Sequence, residues 1–268
     1  MPAGALTGVR LGLGIAAATD PGHLAGLAAE AEGLGYDSIW SNDNPSGDGL
    51  AQLAAWAADS ARIHLGVGVR ALDRHRPEAI AARVTELGLP LDRLLIGLGA
   101  GFASSPLSVI REGVAALRES LPGARVAVAA MGPRMCRLAG EVGDAVLLNW
   151  MTPERAAWAQ PLVGEGAAQA GRPPGDVAIF GYVRTGLGPD ASDRLGREVS
   201  MYLQMPHYAR HFERMGAEPT SVGIATENPS VVAAEIKGYS AMDEPVVRVL
   251  SHRAMGDILA VARAAIGA

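Results

Sequence analysis

What this chain of 268 residues lacks narrows its function first. Cysteine occurs once, at Cys136, so no intramolecular disulfide and no cysteine-based metal cluster can form. Lysine also occurs once, at Lys237; arginine supplies the remaining positive charge, and the net charge is −5. That balance offers no basic groove for nucleic acid. No apolar stretch reaches membrane-spanning length, and the N-terminus MPAGALTGVRLG has no basic-then-apolar signal pattern. The expectation is a cytoplasmic protein with no membrane partner. There is no GxSxG elbow, no Walker loop and no HExxH pair, and no carboxylate pair stands out for glycoside chemistry. These absences point to a bound cofactor as the carrier of any reaction.

What is present is a regular alternation. Hydrophobic residues make up 49% of the chain, enough for a sizeable core. Apolar runs at Val9–Ala16, Asp37–Trp40, His64–Val69, Leu94–Leu98, Val126–Ala129, Ala145–Leu148, Val177–Val183 and Pro245–Leu250 read as strands. Each is followed by a helical pattern; after Val177–Val183 comes a looser helical region from Asp193 to Met215. Eight near-continuous apolar strands separated by helices imply buried parallel β-structure, and eight repeats in this length favour a closed (β/α)8 TIM barrel. No interior linker is visible, so residues 1–268 read as a single compact α/β domain.

In such a barrel the site lies at the C-terminal ends of the strands. The stretch GYDSIWSNDNP, residues 35–45, carries its strand straight into four polar side chains and places Asp43 and Asn44 there. His75 and His252 follow strands three and eight on the same face, whereas His64 begins a strand and reads as structural. His207 and His211 lie four apart on a helical pattern; without an accompanying carboxylate they read as packing or surface, and no metal site is expected. Gly97-Leu98-Gly99-Ala100-Gly101 lacks the GxGxxG spacing into a helix, so its glycines serve close backbone approach, either to a flat ligand or to a neighbouring strand. Ala130-Met131-Gly132-Pro133 opens a helix, which suits either a phosphate or an ordinary helix start.

These motifs resemble the bacterial luciferase-like superfamily, and most closely its branch using the deazaflavin coenzyme F420. GYDSIWSNDNP, HLGVGVRALDRHRPEAIAAR, LLIGLGAG, VAVAAMGPRMCRLAGEVGDAVLLNWMTPE and YLQMPHYARHFERMG carry the resemblance, which runs nearly the whole chain. It implies a (β/α)8 barrel holding a deazaflavin or flavin across its mouth. Asp43 matches an aspartate close to the ring system. Gly68-Val69 match a strand-three bulge with a non-proline cis peptide behind the ring. Ala130, Met131 and Gly132 match segments along the cofactor's phosphate-side chain, and Asn149 a position lining the ring pocket. Asn44 stands where many deazaflavin dehydrogenases have histidine, and Phe102 where a sugar-phosphate-oxidising member has glutamate. The loop after strand four is also short, so sugar-phosphate oxidation is not expected.

The resulting expectation is hydride transfer between F420 and a small organic substrate, with an activated C=C or C=N bond as the acceptor. Asp43, Asn44 and His75 are the polar candidates for catalysis, with Phe102, Trp150 and His252 lining the substrate pocket. An FMN-dependent luciferase-like monooxygenase, served by a separate cofactor reductase, is the alternative; Arg134 and the Gly132-Pro133 helix start would take the FMN phosphate. A non-catalytic cofactor-binding paralogue is a third reading. A homodimer through the barrel helices is the expected assembly.

Overall fold

The computed structural model describes residues 10–17, 24–44, 47–250 and 254–268. Strands β1 (Gly12–Ala16), β2 (Ser38–Asn42), β3 (His64–Ala71), β4 (Leu94–Gly99), β5 (Arg125–Ala130), β6 (Ala145–Asn149), β7 (Ala178–Leu187) and β9 (Glu244–Val249) pair in parallel, with β9 closing back onto β1. The result is an eight-stranded TIM barrel. Helices α1 (Leu27–Gly33), α2 (Gly49–Asp59), α3 (Pro77–Glu86), α4 (Pro106–Ser120), α5 (Pro133–Val142), α6 (Pro153–Gln169), α7 (Ala191–Leu203), α8 (Pro206–Met215), α9 (Pro229–Lys237) and α10 (Met255–Ile266) alternate with the strands. Among the described residues no helix is long and apolar enough to cross a membrane.

Two features depart from the sequence pattern. A ninth, three-residue strand, β8 (Ile224–Thr226), pairs with the far end of β7 outside the barrel ring. It is too short to leave a periodic signature. The looser helical region is two helices, broken at Gln204-Met205, with Pro206 in the first turn of α8, where its missing N–H costs nothing. Only residues 100–105 separate β4 from α4, so the loop after strand four is as short as the sequence implies.

Alternation along each strand sorts the core into two parts. Outward residues meet the helices in one large cluster, while Trp40, Leu95, Ala127, Leu147, Phe180, Tyr182 and Val246 fill the barrel interior. Trp40 is the largest of them. Its register partners on either side are both glycines, Gly14 on β1 and Gly66 on β3. A Cβ on Gly66 would stand 2.3 Å from the indole, so only glycine makes room. Phe180 and Tyr182 pack around the same ring, at centroid distances of 5.2 and 6.1 Å.

Below Trp40 lies a small polar layer. The indole Nε1 donates to Ser38 Oγ (2.7 Å), Ser38 donates to Glu244, and Arg10 pairs with Glu244 at 3.0 Å. Burial pushes the Glu244 carboxyl up to about 7, against the Ser38 hydroxyl and Arg10.

Gly66→Ala should cost about 1–3 kcal/mol through this overpacking. Gly132→Ala, whose Cβ would meet nothing within 4 Å, should stay within about 0.5 kcal/mol of wild type. Urea unfolding midpoints separate the two.

Candidate functional site

The barrel is plugged in its middle, and exposure returns at the C-terminal ends of its strands. Ala16, Asn42, Val69, Ala129 and Asn149 are each partly exposed at or near the ends of strands whose middles are buried. They come from β1, β2, β3, β5 and β6 and mark out one concave mouth. Ala130 does not belong to it. Strand alternation turns Ala130 outward into the helix-facing core, where it is 3% exposed, and Ala129 takes the inward place. This corrects the expectation for Ala130 by one residue.

Val69 owes its position to an irregularity in β3. The register against β4 shifts between Val67 and Arg70, and the Gly68–Val69 peptide is cis, as the family resemblance implies. The Gly68 carbonyl accepts hydrogen bonds from Asn42 Nδ2 (2.6 Å) and from the Tyr182 hydroxyl (3.2 Å), which fix its direction. The glycines of LLIGLGAG make room beside it. A Cβ on Gly97 would lie 2.5 Å from the Val67 carbonyl oxygen, and one on Gly99 2.8 Å from Val69 Cγ2. Of the two uses open to those glycines, close approach of the neighbouring strand accounts for both positions.

Asp43 sits at the rim, with its side chain 3% exposed. Arg70 Nη1 donates to it at 2.9 Å and the Gly49 backbone N–H at 3.0 Å. The other arm of Arg70 reaches His75 Nδ1 at 3.1 Å. A guanidinium can only donate, so Nδ1 is the bare nitrogen and Nε2 carries the proton, facing Asp43 Oδ2 at 3.6 Å. Burial and the Arg70 charge together lower the pKa of His75, despite the carboxylate of Asp43. Asp48 caps α2 through Leu50 N and Ala51 N and is gripped by Arg83 at 3.1 Å, with Arg70 3.6 Å away. Asn44 is tied back to β1 through Nδ2 to the Ala17 carbonyl (2.9 Å).

The opposite side of the mouth is also built on arginine. Arg184 and Arg248, register partners on β7 and β9, are buried. Arg184 donates to Asn149 Oδ1 and to Glu198 on α7 (3.1 Å), and it stacks 3.9 Å above the Trp150 ring. Arg248 donates to Asn42 Oδ1 (3.2 Å) and lies 3.9 Å from Glu198. Although burial opposes ionisation, Arg248 and Arg184 hold the Glu198 carboxyl below its ordinary range. The amide of Asn149 completes its bonding by donating to the Tyr208 hydroxyl (3.0 Å).

Trp150 and Phe102 have different fates. Trp150 does not face the mouth: it is fully buried under α7 and α8, with Tyr202 and Phe212 packed edge-on at 5.1 and 5.4 Å. Its expected place as an open pocket wall is therefore corrected. The carbonyl of Trp150 accepts from His211 Nε2 at 2.6 Å, which makes His211 a packing residue. Phe102 is 70% exposed and meets the His207 ring edge-on at 5.3 Å, bringing the β4–α4 loop to α8. Met131 and Gly132 close β5 at the start of α5, whose first turn has no side-chain cap. His252 lies outside the described residues. Cys136 is buried, and burial pushes its thiol up to about 12, so it is no nucleophile. No group of three metal-ligating side chains occurs among the described residues.

The sequence reading missed Asn42, Arg70, Arg184, Arg248 and Glu198. A signal existed for two of them. Arg184 and Arg248 are lone charges inside the apolar runs FGYVRTGL and PVVRVL, and each lies in phase with an interior residue, Tyr182 and Val246. Asn42 was overshadowed by its neighbour Asp43.

Comparison with known proteins follows the same lines. The sequence profile of the luciferase-like monooxygenases matches residues 1–121 and 106–229. A 5,10-methylenetetrahydromethanopterin reductase of Methanolobus tindarius is 28% identical over 204 residues, covering 63% of each chain, so the match spans under two thirds of that relative. An F420-dependent glucose-6-phosphate dehydrogenase of Kineococcus radiotolerans is 36% identical over 118 residues, 38% of this chain and 35% of that one. Among solved structures, an F420-dependent secondary alcohol dehydrogenase in complex with an F420-acetone adduct superposes with TM-score 0.76 at 16% identity, covering 94% of this chain and 99% of the other. At that identity the likeness concerns the fold.

Asp43→Ala would leave Arg70 charged and buried without its carboxylate, at a cost of about 3–5 kcal/mol; Arg70→Met in the same chain should recover part of it. A double-mutant cycle by chemical unfolding measures the coupling. A second outcome concerns pH. His75, His207 and His211 all have lowered pKa values, with burial the first cause in each. The unfolded chain takes up protons first as pH falls below the ordinary histidine value near 6.5, so stability declines there. His75→Gln should make that decline shallower, as read by melting temperature between pH 7 and 5.

Proposed function

The chain belongs to the luciferase-like monooxygenase family, and from that premise we propose an oxidoreductase that moves hydride between a deazaflavin and a small organic substrate at the barrel mouth. The observation that carries this reading is the half-open Val69, held over Gly97 and Gly99 beside a carbonyl pinned by Asn42 and Tyr182. It forms an apolar platform suited to one face of a planar ring. The residues around it fit such a group. Gly132 leaves free space at the end of β5, and the uncapped first turn of α5 offers backbone N–H groups to a phosphate. Asn42 and Asn149 border the platform from two other strands. F420 is named by the glucose-6-phosphate dehydrogenase relative, and it is the cofactor we assign.

The bound deazaflavin would supply or accept the hydride at its ring. The chain's own part is positional. Arg70 holds Asp43 and His75 together, so His75 presents an Nε2–H at the rim. Giving up that proton would leave an imidazolate, and taking a second is opposed by Arg70, so His75 orients by hydrogen bonding rather than by proton transfer. Asp43, Asp48 and Glu198 are each engaged by arginine. A substrate that needs no proton from the protein suits this mouth best. Hydride added to the carbon of a cationic C=N bond gives a neutral amine with charges balanced, so an iminium-type acceptor is the favoured class.

Titration of the purified protein with F420 and with FMN, followed by fluorescence, tests the cofactor assignment. Micromolar F420 binding with weaker FMN binding is expected; tight FMN binding with no F420 binding favours the monooxygenase alternative instead. Ala129→Phe, which fills the inward position of β5, should weaken F420 binding at least about tenfold with little change in melting temperature.

A further inference from the structure

The barrel has a second concavity at its other end. A cavity of about 70 Å³ opens among the N-terminal ends of the strands, on the far side of Trp40 from the mouth. Its inner wall is apolar, made by Trp40, Leu95 and Phe180. The rest of its lining is mixed, with three arginines among it. Arg10, Arg93 and Arg125 border it, and Glu244 is the one carboxylate in the lining.

Pairing leaves this charge unbalanced. Arg10 is taken by Asp37 (3.4 Å) and Glu244 (3.0 Å). Arg93 spends Nη1 on the Ile63 carbonyl (3.1 Å), a neutral acceptor, and has no ion-pair partner among the described residues. Arg125 starts β5 exposed, and its side chain has no hydrogen-bond or ion-pair partner among the described residues. The nine residues preceding Arg10, MPAGALTGV, contain no aspartate or glutamate. Two arginines thus border one cavity without an ion-pair partner among the described residues, and the one carboxylate of its lining, Glu244, is held by Ser38 and Arg10. Guanidinium forks match a carboxylate in shape and charge, and the aromatic inner wall favours a carbon body. An inorganic ion would leave that wall unused.

We propose that this floor cavity binds a small organic carboxylate, with its charge at Arg93 and Arg125 and its carbon body against Trp40, Leu95 and Phe180. The site is separate from the mouth, and its existence does not depend on which cofactor the mouth takes.

Calorimetric titration of the full chain with benzoate at low ionic strength tests this. One benzoate per chain is expected. Arg125→Gln, an exposed position with no described partner to lose, should weaken binding at least about tenfold. Ala178→Leu, which intrudes on the cavity, should weaken it as strongly, and benzamide, of the same shape without the charge, should bind at least tenfold more weakly than benzoate. Melting temperatures of both variants report whether the fold is kept. The proposal is overturned by the absence of benzoate binding, by unchanged affinity in Arg125→Gln, by equal affinity for benzamide, or by saturable binding of inorganic phosphate with none of benzoate.

Discussion

The placement of one indole organises this barrel. Trp40 crosses the interior between two glycine-bearing strands, and with Phe180, Tyr182 and Leu147 it closes the middle of the barrel to solvent. Everything polar inside the barrel is thereby sorted to one end or the other. Above Trp40 the strand ends carry Asn42, Asn149, Arg184 and Arg248; below it lie Ser38, Glu244 and the floor cavity. The same residue that stabilises the core by filling it also sets the depth of the mouth.

The mouth is built on buried arginine, and that choice has an energetic logic. A guanidinium taken out of water must be paired or hydrogen-bonded in several directions at once. Arg70, Arg184 and Arg248 meet most of that demand by gathering Asp43, His75, Asn149, Asn42 and Glu198 around themselves, while Arg70 Nε and Arg184 Nη2 have no hydrogen-bond partner among the described residues. The side chains that border the mouth are therefore locked before any ligand arrives. Such preorganisation serves positioning, and it also withdraws the carboxylates from proton transfer. The iminium-type acceptor proposed above would suit such a site, because its reduction asks for orientation and exclusion of water rather than for an acid.

The barrel was legible in the sequence because its signal is repeated. Eight apolar runs with helical patterns between them constrain one another, and an error at any single boundary leaves the architecture standing. The rim was partly legible for the same reason: SNDNP interrupts an apolar strand where the topology places a site, and Asp43 is found there. What escaped were contacts between residues far apart in the chain. Arg70 reaches Asp43 across 27 positions and Arg248 reaches Asn42 across 206, and no local pattern announces either. Trp150 looked like a pocket wall because it follows a strand end; the backbone there turns to φ 52° and sends the ring beneath α7 and α8. Ala130 was misassigned by one residue, which in a strand is the difference between the two faces.

Val69 and the first turn of α5 are the parts of the mouth that would hold the proposed deazaflavin. Hydrogen–deuterium exchange with and without F420 probes that placement at the backbone itself. Protection should appear in residues 67–72 and 129–135 and leave the N-terminal ends of the strands unchanged. Unaltered exchange in both segments at saturating F420 would contradict it.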